Sequence, residues 1–161
     1  WRHGKPYYDA PSLLFPYRDR NGRLMNVQSR YLGSEAGIPR FRFPSRSECR
    51  IYGLPVVERL KTGEGLWLSE GVTDCLALLS SGRKAIAIPG ATLLKPEDVK
   101  LLASLREEKK TVFHIFPDKD EAGERLYRQL LQAANEIGAC LIRDELPEGY
   151  KDFGQWWASQ A

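Results

Sequence analysis

The chain has 161 residues, 42% of them hydrophobic and 28% charged, which suits one domain or one domain with a small subdomain and allows a sizeable core. No apolar run approaches the about 18–20 residues of a membrane span, and the leading WRHGKPYYDAP has no apolar signal region, so no membrane association is expected. The net charge of +3 hides an asymmetry: residues 1–63 carry 12 Lys/Arg against 5 Asp/Glu, and residues 64–161 carry 12 against 16. A basic first part beside an acidic remainder suggests a polyanion-binding surface next to a cation-binding one, although an arginine-rich solvated face explains the first part about equally well. The chain lacks an initiator methionine and is expected to be a piece of a longer protein. Cys49, Cys75 and Cys140 are scattered with no C-x-x-C pair, and His3 and His114 are the only histidines. That argues against a zinc site and for three free thiols in a reducing cytoplasm.

In chain order, residues 1–12 form a polar leading arm. Leu13 to Tyr17 reads as a strand, Arg18 to Gly22 as a turn in which Asn21-Gly22 tolerates positive φ, and Arg23 to Tyr31 as the return strand. Residues 33–39 are loop. Arg40 to Pro44 alternates, with Arg40 and Arg42 on one face and Phe41 and Phe43 on the other. These pieces predict a small antiparallel sheet with arginines on one side. Ile51 to Leu54 leads into a short helix from about Pro55 to Lys61, and Gly63 and Gly65 mark a boundary.

Beyond it, strand and helix alternate. Strands are expected over 66–69, 85–88, 111–116 and 139–143. Helices are expected over 72–80, 96–106 and 120–137, with a short one over 152–159. Alternation of this kind predicts an α/β fold with a mostly parallel sheet and helices on both faces. Charged groups then gather at the carboxyl edge of the strands, where open sheets bind ligands.

Three acidic segments converge there. Glu70 and Asp74 are four apart around Gly71, and share a face if the helix begins near it. Acids decorating a helix N-terminus explain that pair alone. Asp118 and Asp120 follow an apolar strand; Asp120 can cap the next helix, but Asp118 has no such role. Asp152 follows the last strand. Five carboxylates from three segments suit one or two divalent ions, which take hard oxygen ligands and clamp the oxygens of a phosphoryl transfer. His114 is expected on a sheet face, Trp156 and Trp157 in the packing of the last helix, and Cys75 as a buried thiol.

EGVTD (Glu70 to Asp74), IPGA (Ile88 to Ala91), PDKDEAG (Pro117 to Gly123) and GYKD (Gly149 to Asp152), in this order, resemble the Toprim domain of bacterial-type primases, type IA and type II topoisomerases, small nucleases and recombination mediators. Upstream, residues 15–33, 39–45 and 51–54 resemble the basic N-terminal subdomain of the bacterial DnaG-type primase catalytic core. The resemblance implies a Rossmann-like, mostly parallel four-stranded Toprim sheet over 64–161, preceded by a small basic antiparallel β subdomain over 1–63. It implies general acid/base catalysis by Glu70 and places Asp74 as the aspartate of the first motif, among the metal residues. Asp118, Asp120 and Asp152 match metal-binding positions, and Arg18, Arg30, Arg40 and Arg42 fall where template or nucleotide is contacted. The family often has an acid or asparagine two residues after the last aspartate; here stands Gly154.

The implied activity is a cytoplasmic DNA primase that makes RNA primers on single-stranded DNA from nucleoside triphosphates, with Mg2+ or Mn2+. Zinc-binding and helicase-binding regions, the latter a link to a replicative helicase, would lie outside this chain. The alternatives are a Toprim nuclease and a single-stranded-DNA-binding Toprim module without turnover. A topoisomerase fits least, because this length holds no tyrosine-bearing cleavage domain.

Overall fold

The computed structural model describes residues 11–35, 37–43, 51–88 and 94–160. The leading arm up to residue 10, Pro44, Cys49 and the Pro89 to Ala91 part of the second motif therefore lie outside the described residues.

The first part is an antiparallel sheet in the order β1 (Ser12–Arg18), β2 (Leu24–Tyr31), β3 (Phe41–Arg42). The β1–β2 turn is not built by Asn-Gly alone. Asp19 organises it: its Oδ1 accepts from the Asn21 and Arg23 amides at 3.0 and 2.9 Å, and only Gly22 takes positive φ, at 85°. An aspartate bonding its own backbone two residues on is a standard way to hold a turn. The strand register also shifts between Tyr17 and Arg18. Arg20 at the hairpin tip pairs with Glu58 and, at 3.4 Å, with Glu108, which ties the hairpin to the rest of the chain.

The segment expected as a short helix is a 3-10 helix, Leu54–Arg59, with Pro55 in its first turn. Gly53 before it has φ 87°, and a Cβ there would lie 2.8 Å from the Ala85 carbonyl oxygen, so only glycine passes the sheet this closely. Tyr52 exchanges both backbone hydrogen bonds with Ala87 at 3.0 Å and covers part of the exposed edge of the second sheet.

That second sheet is wholly parallel, in the order β5–β4–β6–β7: β4 is Gly65–Ser69, β5 Ala85–Ala87, β6 Val112–Ile115 and β7 Leu141–Arg143. On one face lie α2 (Pro96–Lys109) and α3 (Glu121–Glu136), which bury Leu102, Leu105, Leu126 and Leu130 against Leu66, Leu68, Phe113 and Ile115. On the other lie α1 (Val72–Ser80) and α4 (Phe153–Ala158), through Cys75, Leu78 and Phe153. Helix α2 runs three residues past its expected end, because Glu107 to Lys109 are good helix formers and Lys110 turns the chain with φ 51°.

The bland expectations for single residues hold. His114 stacks on Trp67 across the sheet face, with ring centroids 4.5 Å apart, and both reach Asp144. Trp156 and Trp157 pack around Phe153, and Arg83 lies 5.2 Å over the Phe153 ring. Cys75 is fully buried, which pushes its thiol up to about 12. Among the described residues no helix is long and apolar enough to cross a membrane. The two sheets meet where Phe15 and Tyr17 pack on Val72 at the start of α1. This seam decides what can face the acidic edge.

Candidate active site

Strands β4 and β6 are neighbours at the centre of the parallel sheet, and both end in carboxylates at the same edge. After Ser69 the chain is extended at Gly71 (φ −113°, ψ 152°), and the Ser69 hydroxyl donates to Gly71 O at 3.1 Å. This short turn brings Glu70 and Asp74 to one side. Glu70, Asp74 and Asp118 line one cavity of about 320 Å³, with Tyr17, Gln28, Phe41 and Phe43 of the small sheet opposite them.

Gly123 fixes Asp118 in place. A Cβ at this first turn of α3 would lie 2.3 Å from Asp118 O and 2.6 Å from Asp118 N. The helix therefore presses directly on the backbone that carries the acid. Alanine normally favours a helix over glycine by about 1 kcal/mol. Overpacking against backbone costs about 1–3 kcal/mol and wins here. Gly123→Ala is expected to lower stability by about 2 kcal/mol or more in denaturant unfolding; a gain in stability would refute the close contact.

The carboxylates do not share one electrostatic state. Burial, then Asp74, Asp152, Glu70 and Asp120, push Asp118 up to about 7. Burial and the charge of Asp120 raise Glu70, against Arg125, and burial raises Asp74. Asp120 goes the other way. Its Oδ1 accepts from Gly123 N at 2.9 Å as the cap of α3, its Oδ2 meets Lys151 Nζ at 2.9 Å, and these hold it below the usual range. So Asp120 is the helix cap that the sequence allows, and it is paired with a cation. Its cationic partner Lys151 had no sequence signal beyond its place before Asp152.

Asp152 arrives on the segment after β7. Its Oδ1 caps α4 by accepting from Gln155 N at 2.7 Å. The segment is fastened to the second motif: Lys119 N donates to Lys151 O at 2.9 Å, and Lys119 Nζ donates to Pro147 O at 2.9 Å. Gly154, which stands where the family often has an acid or asparagine, packs against Asp74. Its amide donates to Asp74 Oδ1 at 3.0 Å, and a Cβ there would lie 2.8 Å from that same oxygen. A side chain at 154 would push Asp74 away.

The family model described as Toprim-like matches residues 67–156, more than half of the chain. The chain belongs to this Toprim-like family. Its Toprim fold is shared with solved primase structures. A DNA primase domain from Pseudomonas aeruginosa matches with TM-score 0.75 and 24% identity, over 99% of this chain and 50% of that one. The DnaG primase catalytic domain bound to ssDNA matches with TM-score 0.72 and 23% identity, over 93% and 48%. The E. coli primase catalytic core matches with TM-score 0.71 and 24% identity, over 93% and 49%. At this identity the likeness is one of fold, and the Toprim chain spans about half the length of these structures. No curated protein matches it.

The arginines around the Toprim edge do not form one face. Phe41 and Phe43 both line the acidic cavity, and Arg40 and Arg42 do not. Arg30 pairs with Phe41 across β2 and β3, and its guanidinium lies 5.7 Å from that ring's centre, so it belongs to the phenylalanine side. Arg18 donates from Nη1 to Gly22 O at 2.8 Å at the exposed hairpin end. Arg40 and Arg30 line a second cavity, of about 420 Å³, with Tyr31 and Ser34. Tyr17 and Gln28, which face the acids directly, were read from the sequence only as strand residues; the Phe15/Tyr17 alternation was the available signal.

The donor chemistry of the edge fits a divalent cation. Among the described residues, the acids around Asp118 have no arginine or lysine bonded directly to them, Asp120 excepted. Among the described residues no three acidic, histidine or cysteine side chains form a preassembled cage. Magnesium does not need one, since it usually takes one or two carboxylates with waters and substrate phosphates.

Proposed function

We propose that the chain is a primase-type catalytic core, in which residues 64–161 carry nucleotidyl transfer and residues 1–63 present the template strand and nucleotide. The observation that supports this most is the placement of Glu70, Asp74 and Asp118 on one cavity directly facing the small sheet. An acidic edge and the small sheet thus border one space, with Arg30 beside Phe41 at its margin, in the fold of primase cores.

Asp118, Asp74 and Asp152 would hold Mg2+ or Mn2+, with Asp120 beside them. Such an ion supplies charge stabilisation for the phosphate undergoing attack and for the leaving oxygen. Glu70, whose carboxyl is raised by burial and by Asp120, is suited to take the proton of the attacking 3′-hydroxyl. The O3′–Pα bond forms, the bond from Pα to the bridging oxygen breaks, and pyrophosphate leaves. Lys151 keeps a positive charge at the rim. Arg18, Arg30, Arg40 and Arg42 contribute contacts to strand or nucleotide phosphates, a term that weakens with salt.

The test is incubation with a single-stranded template, ribonucleoside triphosphates and Mg2+. Short labelled oligomers are expected. Clean cutting of the template would favour a Toprim nuclease, and binding without either product a module that has lost turnover.

A further inference from the structure

The sheet side of the acidic cavity is built to hold something flat. We propose that Phe41, Phe43 and Gln28 form a nucleobase pocket that receives the base of the mononucleotide whose phosphates lie at Glu70 and Asp118. This rests on the proposed function and adds the residues that hold and sort the substrate.

Four observations carry it. First, Phe41 is 39% exposed although it lies on the inner side of its sheet and lines the cavity. A flat ligand seated in the cavity would cover the part of this ring that folding leaves open beside the carboxylates. Second, Arg30 lies 5.7 Å over that ring, which adds a positive charge to the stacking surface and orders the ring. Third, Phe43 is set edge-on against Tyr17, centroids 5.1 Å apart at 68°, so the wall beside Phe41 is rigid. Fourth, Tyr17 donates its hydroxyl to Gln28 Oε1 at 2.9 Å. That bond fixes which way the Gln28 amide points and leaves its Nε2 hydrogens to donate. A donor of fixed orientation beside stacking rings is what distinguishes one base edge from another.

The volume of about 320 Å³ is at the lower end of small-molecule pockets and suits one nucleoside rather than a strand. The acids at the far wall repel bare phosphate, so the phosphates require a divalent ion there while the base does not. Phosphate and base binding are therefore separable.

Affinities of the four ribonucleoside triphosphates, inorganic tripolyphosphate and a short oligothymidylate, each with Mn2+, decide the matter by calorimetry on the unaltered protein and two variants. Phe41→Ala is expected to weaken nucleotide binding by about 5-fold or more, the loss of one base–aromatic stack. Tripolyphosphate and oligothymidylate should bind as before, and circular dichroism should be unchanged because the ring is at the surface. Gln28→Leu is expected to narrow the differences among the four nucleotides. If Phe41→Ala leaves nucleotide affinity intact while tripolyphosphate still binds, the pocket is overturned and the acidic edge stands. An equal or larger loss on oligothymidylate would give the ring to the strand and also overturn the assignment. Should the unaltered protein bind neither nucleotides nor tripolyphosphate, both the pocket and the function beneath it fall.

Discussion

Glu70→Gln is expected to lower nucleotidyl transfer by about 100-fold or more while single-stranded DNA binds as tightly as before. General acid/base groups commonly contribute about 100- to 10,000-fold, and glutamine keeps the volume and polarity of glutamate without its basicity. Glu70 is half-buried at the end of a central strand, and burial and Asp120 raise its pKa. The parent rate should then fall as pH drops through the raised Glu70 value, because the base becomes protonated. That acid limb should be absent from the residual rate of the variant. A variant with parental rate would show that Glu70 is only part of the turn between β4 and α1.

Asp118→Asn is expected to abolish activity and yet stabilise the metal-free protein at pH 8. The folded state holds the Asp118 proton up to about 7, against an ordinary value of 3.8. The folded chain therefore binds more protons than the unfolded one between these limits. Stability falls as pH rises from about 4 to about 7 and is constant above. At about 1.4 kcal/mol per pH unit the displacement corresponds to about 4 kcal/mol. Asp118 is only partly buried, and solvent screening reduces this to roughly 2 kcal/mol. Asparagine carries no such penalty. The variant should match the parent near pH 4 and exceed it by roughly 2 kcal/mol at pH 8 in urea unfolding. Millimolar Mg2+ should raise the parent's midpoint at pH 8 and leave the variant's unmoved. A variant less stable than its parent at pH 8 would contradict the electrostatic strain assigned to this carboxylate.

The parallel sheet was legible because its signals are local. Leu66, Leu68, Phe113 and Ile115 are apolar runs closed by acids, and the Leu126, Leu130, Ala133 stripe has helical spacing. The acids were legible for the same reason: a carboxylate immediately after a buried strand is already at the ligand-binding edge. What faces the acids was not legible. Tyr17 and Gln28 come from a sheet whose docking depends on Phe15 and Tyr17 meeting Val72, some 55 residues on. The side of Arg30 depended on which residue of β3 it pairs with, and a two-residue strand gives periodicity too little length to fix register. Gly154 shows a role that no ligand pattern reveals. A pattern of ligands makes a glycine look like a loss, whereas packing makes it the residue that lets α4 reach α1.

Asp74 divides its two oxygens between different tasks. Oδ1 anchors the start of α4 through the Gly154 amide, and Oδ2 lies on the Gly71 side of the group. A cation drawn to this carboxylate would pull on electron density that the helix anchor also uses. One carboxylate thus serves both the acidic edge and the seating of α4, and a change at Asp74 is felt in both.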